Sequence, residues 1–182
     1  MSGMTHPSLR ILLAASLSLF AVTSAPVLGQ GAVSALKGHN SNAPVDVAAD
    51  RIELQDRADR AVLSGNVNVR QGDLTLTSQR LTVAYSRVGG TQIQRLDAAG
   101  GVTVRSPSET ARGDFAIYDL DRRLITMLGG VVLTRGASEV RGGRLVIDLD
   151  SGRATVDGSA VGGTGSQGGR VTGRFTVPQR TQ

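Results

Sequence analysis

The sequence predicts an all-β fold, and three observations support that prediction. From Val45 onward, apolar residues alternate with polar ones in short runs that turn residues interrupt, which is typical of half-buried strands. A phrase in which glycine precedes an apolar strand occurs three times, at residues 65–69, 100–104 and 129–133. Aromatic residues make up 3% of the chain and tryptophan is absent. The interior of the predicted sheet must therefore consist of Val, Leu, Ile and Ala, which pack well on a pleated surface.

The chain also repeats itself with a shift of 64 residues, so that residues 50–85 align with residues 114–149. Residues 93–120 read as a partial copy between them. A repeat of this kind indicates one supersecondary unit stacked on itself, here a β module. The identical pairs are Asp50/Asp114, Gly65/Gly129, Val67/Val131, Gly72/Gly136, Arg80/Arg144 and Leu81/Leu145.

Composition excludes several classes of function. The chain has no cysteine and two histidines, His6 and His39, so disulfides, thiolate nucleophiles and multi-histidine metal sites are excluded. The net charge is +5, and Lys37 is the one basic residue that is not arginine. Arginine can pair with the carboxylates or phosphates of an anionic partner, although a GC-rich genome would also favour it over lysine. Nucleic acid is a poor candidate partner, because no aromatic platform or dense basic run is present.

The N-terminus has the layout of a secretory signal peptide over residues 1–25. Arg10 ends a short basic leader, residues 11–22 are apolar, and small residues precede Ala25. This apolar run is too short to span a bilayer core of about 30 Å. We expect export with cleavage near Ala25, while cleavage after Gly29 and an uncleaved anchor remain alternatives. Export without disulfides favours a bacterial periplasm.

The rest of the chain divides by composition. Residues 26–44 are small and polar and predict a flexible lead-in, and residues 45–157 carry the alternating strands. Residues 158–169 are rich in Gly and Ser and predict a linker. Residues 170–182 predict a last strand followed by a tail. That strand could add to another sheet edge, or the whole segment could be disordered.

One predicted strand, residues 114–120, has two competing apolar faces. Phe115 and Ile117 lie on one face, whereas Ala116, Tyr118 and Leu120 lie on the other. Hydrophobicity alone favours the first face as the buried one, and alignment of the repeats favours the second. The residues by themselves leave this choice open.

Two pairs of acids are the candidates for catalysis. Asp119 with Asp121, and Asp148 with Asp150, would each place two carboxylates on one face of a strand, as a carbohydrate-active enzyme could use them. Both pairs, however, stand next to predicted turns, where aspartate is favoured for its own hydrogen bonds. The sequence therefore predicts no enzyme, no metal site and no cofactor.

The order of these features resembles the OstA-like family of periplasmic lipopolysaccharide-transport proteins. The resemblance lies in residues 48–54 (Ala-Ala-Asp-Arg-Ile-Glu-Leu), 61–74 (Ala-Val-Leu-Ser-Gly-Asn-Val-Asn-Val-Arg-Gln-Gly-Asp-Leu) and 81–85 (Leu-Thr-Val-Ala-Tyr). It covers residues 45–157, most of the chain after the signal. No single residue in it is diagnostic, but the long ordered pattern is moderately specific.

The resemblance implies a folded-over antiparallel β-jellyroll, also called a β-taco. It implies a periplasmic bridge that binds lipopolysaccharide and carries it from the inner to the outer membrane through an apolar trough. The implied partners are lipopolysaccharide, through its lipid A acyl chains, same-fold domains of inner- and outer-membrane transport proteins, and further copies of the chain joined head to tail.

The candidate lipid-binding site is the row of apolar residues that would face the interior. Since each buried CH₂ stabilises by roughly 0.8 kcal/mol, an aliphatic trough could shield acyl chains from water. Two alternatives remain, plain core packing at each position and a structural or adhesive secreted β-solenoid with a filled core. The row comprises Leu54, Leu63, Val67, Val69, Leu74, Leu76, Leu81, Val83, Tyr85, Val102, Val104, Tyr118, Met127, Val131, Leu133, Leu145 and Ile147.

Overall fold

The computed structural model describes residues 39–158 and 169–176, and these residues form an all-β fold, as the sequence predicts. A single 3₁₀ turn, Asp56–Ala58, interrupts the strands. The strands are β1 (Asp46–Ala48), β2 (Arg51–Gln55), β3 (Arg60–Gln71), β4 (Leu74–Ser86), β5 (Gln92–Arg105), β6 (Glu109–Asp119), β7 (Leu124–Arg135), β8 (Ser138–Asp148), β9 (Arg153–Asp157) and β10 (Thr172–Arg174).

All ten strands belong to one antiparallel sheet. Strands β3 to β8 follow one another in sequence order, each paired with the next. Both β1 and β2 pair with β3, and both β9 and β10 pair with β8. Each edge of the sheet is therefore formed by two short strands.

Each central strand is bent near its middle. The pairing register shifts at the recurring glycines. These shifts occur at Gly65 in β3, Gly100 in β5 and Gly129 in β7. Their φ angles are 76°, 86° and 80°, a backbone conformation that glycine adopts without steric cost. Because bulges bend a strand and these bulges lie side by side, they form one bend line across the sheet.

The bend line divides the sheet into two layers. Layer A contains β2, β9 and one half of each central strand, from residues 60–64 of β3 across the sheet to residues 144–148 of β8. Layer B contains β1, β10 and the other half of each central strand, from residues 67–71 of β3 across the sheet to residues 138–142 of β8. We call the strand ends farthest from the bend line the rim of each layer.

The two layers face each other. Tyr118, at the rim of layer A, donates a hydrogen bond from its hydroxyl to Oε1 of Gln71, at the rim of layer B, over 2.9 Å. These residues lie on β6 and β3, which are three strands apart and would be separated by about 14 Å in a flat sheet. Direct contact requires the sheet to fold over, as the resemblance implies.

The space between the layers is filled by side chains. The largest fully buried residues come from both layers, and two cavities between them measure about 10 Å³ each, which is close to the volume that one water requires. The fully buried residues are Leu63, Leu81, Leu96, Ile125, Met127, Leu145, Ile147, Val67, Val102 and Val131.

The internal repeat has a structural counterpart at the bend line. Asp50 packs against Gly65 in the first module, and Asp114 packs against Gly129 in the second. A β-carbon added to either glycine would meet the aspartate β-carbon at 3.0 Å and 2.8 Å respectively. In the first module, the backbone N–H of Asp50 also donates to the carbonyl oxygen of Gly65.

The ambiguous strand presents the face that the repeat favours. Ala116 and Tyr118 in β6 are buried, with 1% and 3% of their surface exposed, while Phe115 is 53% exposed. Ala116 and Tyr118 pair with Met127 and Ile125 of β7, and both partners are buried. The neighbouring strand, rather than the hydrophobicity of Phe115, decides the inward face.

The chain ends differ in part from the sequence expectations. Residues 39–43 of the predicted lead-in pack against Gln71 and are not a free segment. The predicted last strand is β10, which pairs with β8 of its own sheet. The predicted signal peptide, residues 1–25, and most of the predicted linker lie outside the described residues.

Candidate functional site

The candidate site is the apolar interior between the two layers. Fourteen of the seventeen residues of the predicted row are buried there. They come from the strands β3 to β8, so the row runs continuously across the sheet from one edge towards the other. The fourteen are Leu63, Val67, Val69, Leu74, Leu76, Leu81, Val83, Val102, Val104, Tyr118, Met127, Val131, Leu145 and Ile147.

The remaining three residues of the row are not fully buried. Leu133 is half-buried and packs against the core. Tyr85 is half-buried at the end of β4, where its hydroxyl donates to Asp56 over 3.4 Å and the Arg87 guanidinium lies 5.5 Å from the ring centre. Tyr85 therefore belongs to the rim of layer A.

Leu54, the first residue of the predicted row, is not covered in the described chain, and 69% of it is exposed. Leu54 nevertheless pairs with Ala61, which is buried, and directly opposed residues of antiparallel strands share a face. Leu54 thus faces inward, but it lies on the edge strand β2, and no further strand of the described chain covers it.

Several buried residues are missing from the predicted row. Leu96 and Ile125 follow the same alternation and could have been included from it. The alanines give a weak signal, because a small side chain fits either face of a strand. The omitted buried residues are Ala61, Leu96, Ala98, Ala111, Ala116, Ile125 and Leu149.

Polar groups close the slit between the rims near β1. Besides accepting from Tyr118, the side chain of Gln71 lies 3.2 Å from His39 Nε2 and donates to the carbonyl oxygens of Ser41 and Ala43. Burial raises the pKa of the Tyr118 phenol, an effect that a hydrogen bond to Ser41 partly offsets. The phenol therefore remains neutral and able to donate at physiological pH.

A second polar group lies farther along the rim of layer B. Glu109 is 6% exposed and forms an ion pair with Arg135 on the neighbouring strand. The backbone of Glu109 is held by Ser106, whose backbone N–H donates to the Glu109 carbonyl and whose hydroxyl accepts from the Glu109 N–H. Charged and polar side chains therefore line the slit, whereas aliphatic ones fill the interior behind it.

The two edges of the sheet expose apolar residues. At the β2 edge, Ile52 and Leu54 are 51% and 69% exposed, and both pair with buried residues of β3. Beside β10, Val171 and Phe175 are 44% and 69% exposed. The apolar interior thus reaches the surface at both ends of the trough.

The paired acids serve turns. Asp119 accepts from the backbone N–H of Arg122, and Asp148 accepts from those of Asp150 and Ser151. The Ser151 hydrogen bond is the main cause that lowers the pKa of Asp148. Asp150 forms an ion pair with Arg123 over 2.9 Å. No group of His, Asp or Glu suited to a metal ion occurs among the described residues.

Within residues 39–158 and 169–176, no helix is long and apolar enough to cross a membrane.

Comparison with known proteins gives the family. Residues 46–153 match the model of the family described as LptA/(LptD N-terminal domain) LPS transport protein. An uncharacterized protein of Rhizobium meliloti is 31% identical over 139 residues, which cover 71% of this chain and 75% of that protein. The LPS-assembly protein LptD of Saccharophagus degradans is 31% identical over 131 residues, covering 72% of this chain but 13% of LptD.

A solved structure supports the fold. The crystal structure of LptH, the LptA-homologous periplasmic component of the lipopolysaccharide transport device of Pseudomonas aeruginosa, superimposes with a TM-score of 0.67. The match has 18% sequence identity and covers 76% of this chain and 99% of LptH. With the folded-over sheet and its apolar interior, these similarities show that the chain belongs to the LptA/LptD N-terminal domain family and is an LptA-like component of lipopolysaccharide transport, not an enzyme.

Proposed function

We propose that this protein binds the acyl chains of lipopolysaccharide between layers A and B and carries the lipid from the inner to the outer membrane. The observation that supports this most directly is the aliphatic interior, which crosses six strands and ends in exposed apolar residues at both sheet edges. Aliphatic contacts have no directional requirement, so a lipid can slide along such a surface without being trapped by any one residue.

Binding in this position requires the layers to separate. Cavities of about 10 Å³ have no room for an acyl chain, so the packed interior is the lipid-free state. The bend line of glycines forms one side of the trough, and the opposite side is the slit between the rims. In the lipid-bound state the acyl chains lie between the layers, and the sugars leave through the slit.

The edges provide the route between molecules. An exposed strand edge can pair with a strand of another chain, and β1/β2 and β9/β10 are such edges. We propose that copies join head to tail, so that the inward-facing residues Ile52 and Leu54 are covered by the next molecule. Same-fold domains of inner- and outer-membrane partners join the two terminal copies in the same way.

The proposed location is the periplasm, reached by export and cleavage of residues 1–25 near Ala25. The apolar run after Arg10 and the absence of cysteine support this route. The mass of the exported protein gives the cleavage site directly.

Photo-crosslinking tests the proposed lipid site. A photoreactive residue is placed in turn at each position of residues 81–85 in living cells, and lipopolysaccharide adducts are detected. Leu81 and Val83 are 0% and 5% exposed, whereas Thr82 and Ala84 point to the other face of β4. We expect adducts at 81 and 83, fewer at the half-buried position 85, and none at 82 and 84.

The filled interior also suits a second candidate, a structural or adhesive β-solenoid with a permanently closed core. The small cavities favour this candidate, because such a protein needs no accessible interior. The same experiment separates the two: a complete absence of adducts over residues 81–85 would replace lipid transport with the structural function.

A further inference from the structure

The outer face of layer B is rich in arginine. Each of its arginines is exposed and adjacent along the strand to a residue that points inward, as Arg105 follows the buried Val104 and Arg112 follows the buried Ala111. Alternation along a strand then places these arginines on the outside. The five are Arg70, Arg105, Arg112, Arg141 and Arg174.

Threonines separate these arginines across the sheet. Thr75 pairs with both Arg70 and Arg105, so one strand lies between the two guanidinium groups and their strands are about 10 Å apart. Thr103 pairs with Arg112, and Thr172 pairs with Arg141. The face therefore offers fixed positive charges interspersed with hydroxyl groups on a broad surface.

The face carries five arginines and two acids, so it is positively charged overall. In the strand register, Asp46 lies opposite Arg70 and Glu139 lies opposite Arg174. The acids on this face are Asp46 and Glu139, and Glu139 forms an ion pair with Arg141 over 2.7 Å. Arg70, Arg105 and Arg112 form no ion pair within the described part of the chain.

Arg174, on β10, also forms no ion pair with the described residues. The outer face of layer A is different, because acids accompany its arginines: Arg95 pairs with Asp97 over 2.7 Å, and Arg144 lies 3.9 Å from Asp157. The outer face of layer B therefore has the larger excess of arginines over acids, five against two. On layer A and its turns, Arg57, Arg60, Arg80 and Arg153 also form no ion pair within the described residues, but acids are nearly as numerous as arginines there.

The face also lacks an apolar anchor. Its half-buried valine, Val132, lies between Arg112 and Arg141, and the exposed large apolar residues of the described chain lie at the sheet edges, in the Val88 turn or on layer A at Phe115. Stable protein interfaces depend on buried anchors of that kind. A diffuse anionic surface is a better complement to this face than a folded protein.

We propose that the outer face of layer B binds the surface of an anionic phospholipid bilayer. Its arginines donate to lipid phosphates, and the threonine hydroxyls add further donors. Such contact leaves the interior, the slit and both sheet edges uncovered, because they lie elsewhere on the molecule. The protein would then be held beside a membrane while its trough remains able to receive or deliver lipid. This binding does not depend on the proposed lipid site.

The test is co-sedimentation of the exported, full mature chain with vesicles that contain no lipopolysaccharide. Vesicles of phosphatidylglycerol and phosphatidylcholine are compared with vesicles of phosphatidylcholine alone, at low and at high salt. One basic residue near an anionic membrane changes partitioning roughly fivefold. We expect the protein to bind the anionic vesicles only and to be released from them at high salt. Replacing Arg70, Arg105, Arg112 and Arg174 together with Gln should lower the affinity for anionic vesicles about hundredfold or more.

The matched control replaces four arginines of layer A and its turns, Arg57, Arg60, Arg80 and Arg153, with Gln. It has the same net charge as the layer B variant, and these four arginines also form no ion pair within the described residues. Circular dichroism melts establish that both variants fold. Equal losses in the two variants would show a general charge effect and overturn the proposal. Binding that appears only with vesicles containing lipopolysaccharide, or only with an acidic protein, would overturn it as well.

Discussion

At the scale of single residues, the bend line depends on a close contact between a glycine and an aspartate. Gly129 has a φ of 80°, and the Asp114 side chain occupies the place where its β-carbon would stand. Gly130 is also left-handed, with a φ of 51°, but has open space around it. The equivalent of Gly130 in the first module is Asn66, with a φ of 46°, so the chain itself shows that asparagine fits this position.

This contact predicts different costs at adjacent glycines. Replacing Gly129 with Ala should lower the free energy of unfolding by about 3 kcal/mol, because it combines left-handed strain with overpacking against Asp114. Gly130→Asn, the matched control, should change it by less than about 0.5 kcal/mol. Urea denaturation measures both values. Equal effects in the two variants would mean that the contact with Asp114 does not shape the bend.

At the scale of strands, the edges differ from the edges of most open sheets. Proteins usually protect an edge with charges, bulges or covering loops. Strand β2 has Arg51 and Glu53 on one face, but its inward face carries Ile52 and Leu54, both largely exposed. An edge of this kind is suited to continuation by another molecule.

The exposed edge predicts how assembly responds to substitution. Leu54→Asp should weaken self-association by about tenfold or more, since it places a charge in the proposed joint. Its melting temperature should stay close to that of the native protein, because Leu54 is exposed in the single chain. Val88→Asp, at an exposed turn position, is the control. Sedimentation equilibrium gives the association constants, and unchanged association of the Leu54 variant would exclude this edge as the joint.

At the scale of the whole molecule, the two layers behave as halves that a polar contact holds together. The bend line connects them on one side, and the contact of Tyr118 with Gln71, supported by residues 39–43, closes the other. In the proposed lipid-bound state this contact is broken. Burial of the lipid, at roughly 0.8 kcal/mol per CH₂, would offset the free energy of opening.

Tying the rims together should therefore prevent lipid binding. The chain has no cysteine, so Gln71→Cys with Tyr118→Cys can be joined selectively by a short, cleavable bismaleimide. We expect the joined protein to lose lipopolysaccharide binding in a fluorescence displacement assay, and cleavage of the linker to restore it. Each single-cysteine protein treated with the same reagent is the control. Full binding by the joined protein would place the acyl chains outside the two layers.

The properties that the sequence determined by itself are those that depend on neighbours along the chain. Alternation with a period of two identified the strands and the inward face of most of them. For residues 114–120 the repeat favoured Ala116 and Tyr118, hydrophobicity favoured Phe115 and Ile117, and the sequence left the choice open. The same local rules identified the turn aspartates, since a turn hydrogen bond involves only a few consecutive residues. The recurring glycines were expected before strands, whereas Gly65, Gly100 and Gly129 lie inside β3, β5 and β7, because a bulge lets a strand continue through a bend.

Only the tertiary structure decided what covers each inward face. Leu54 faces inward by the same alternation as Leu63, yet 69% of Leu54 and 1% of Leu63 are exposed, because exposure depends on whether another strand lies beyond. The contact of Tyr118 with Gln71 joins residues 47 positions apart and exists only once the sheet folds over. The arginine face of layer B likewise appears only when strands from the whole chain are placed side by side. These features depend on which strands become neighbours, and a pattern along one strand does not contain that information.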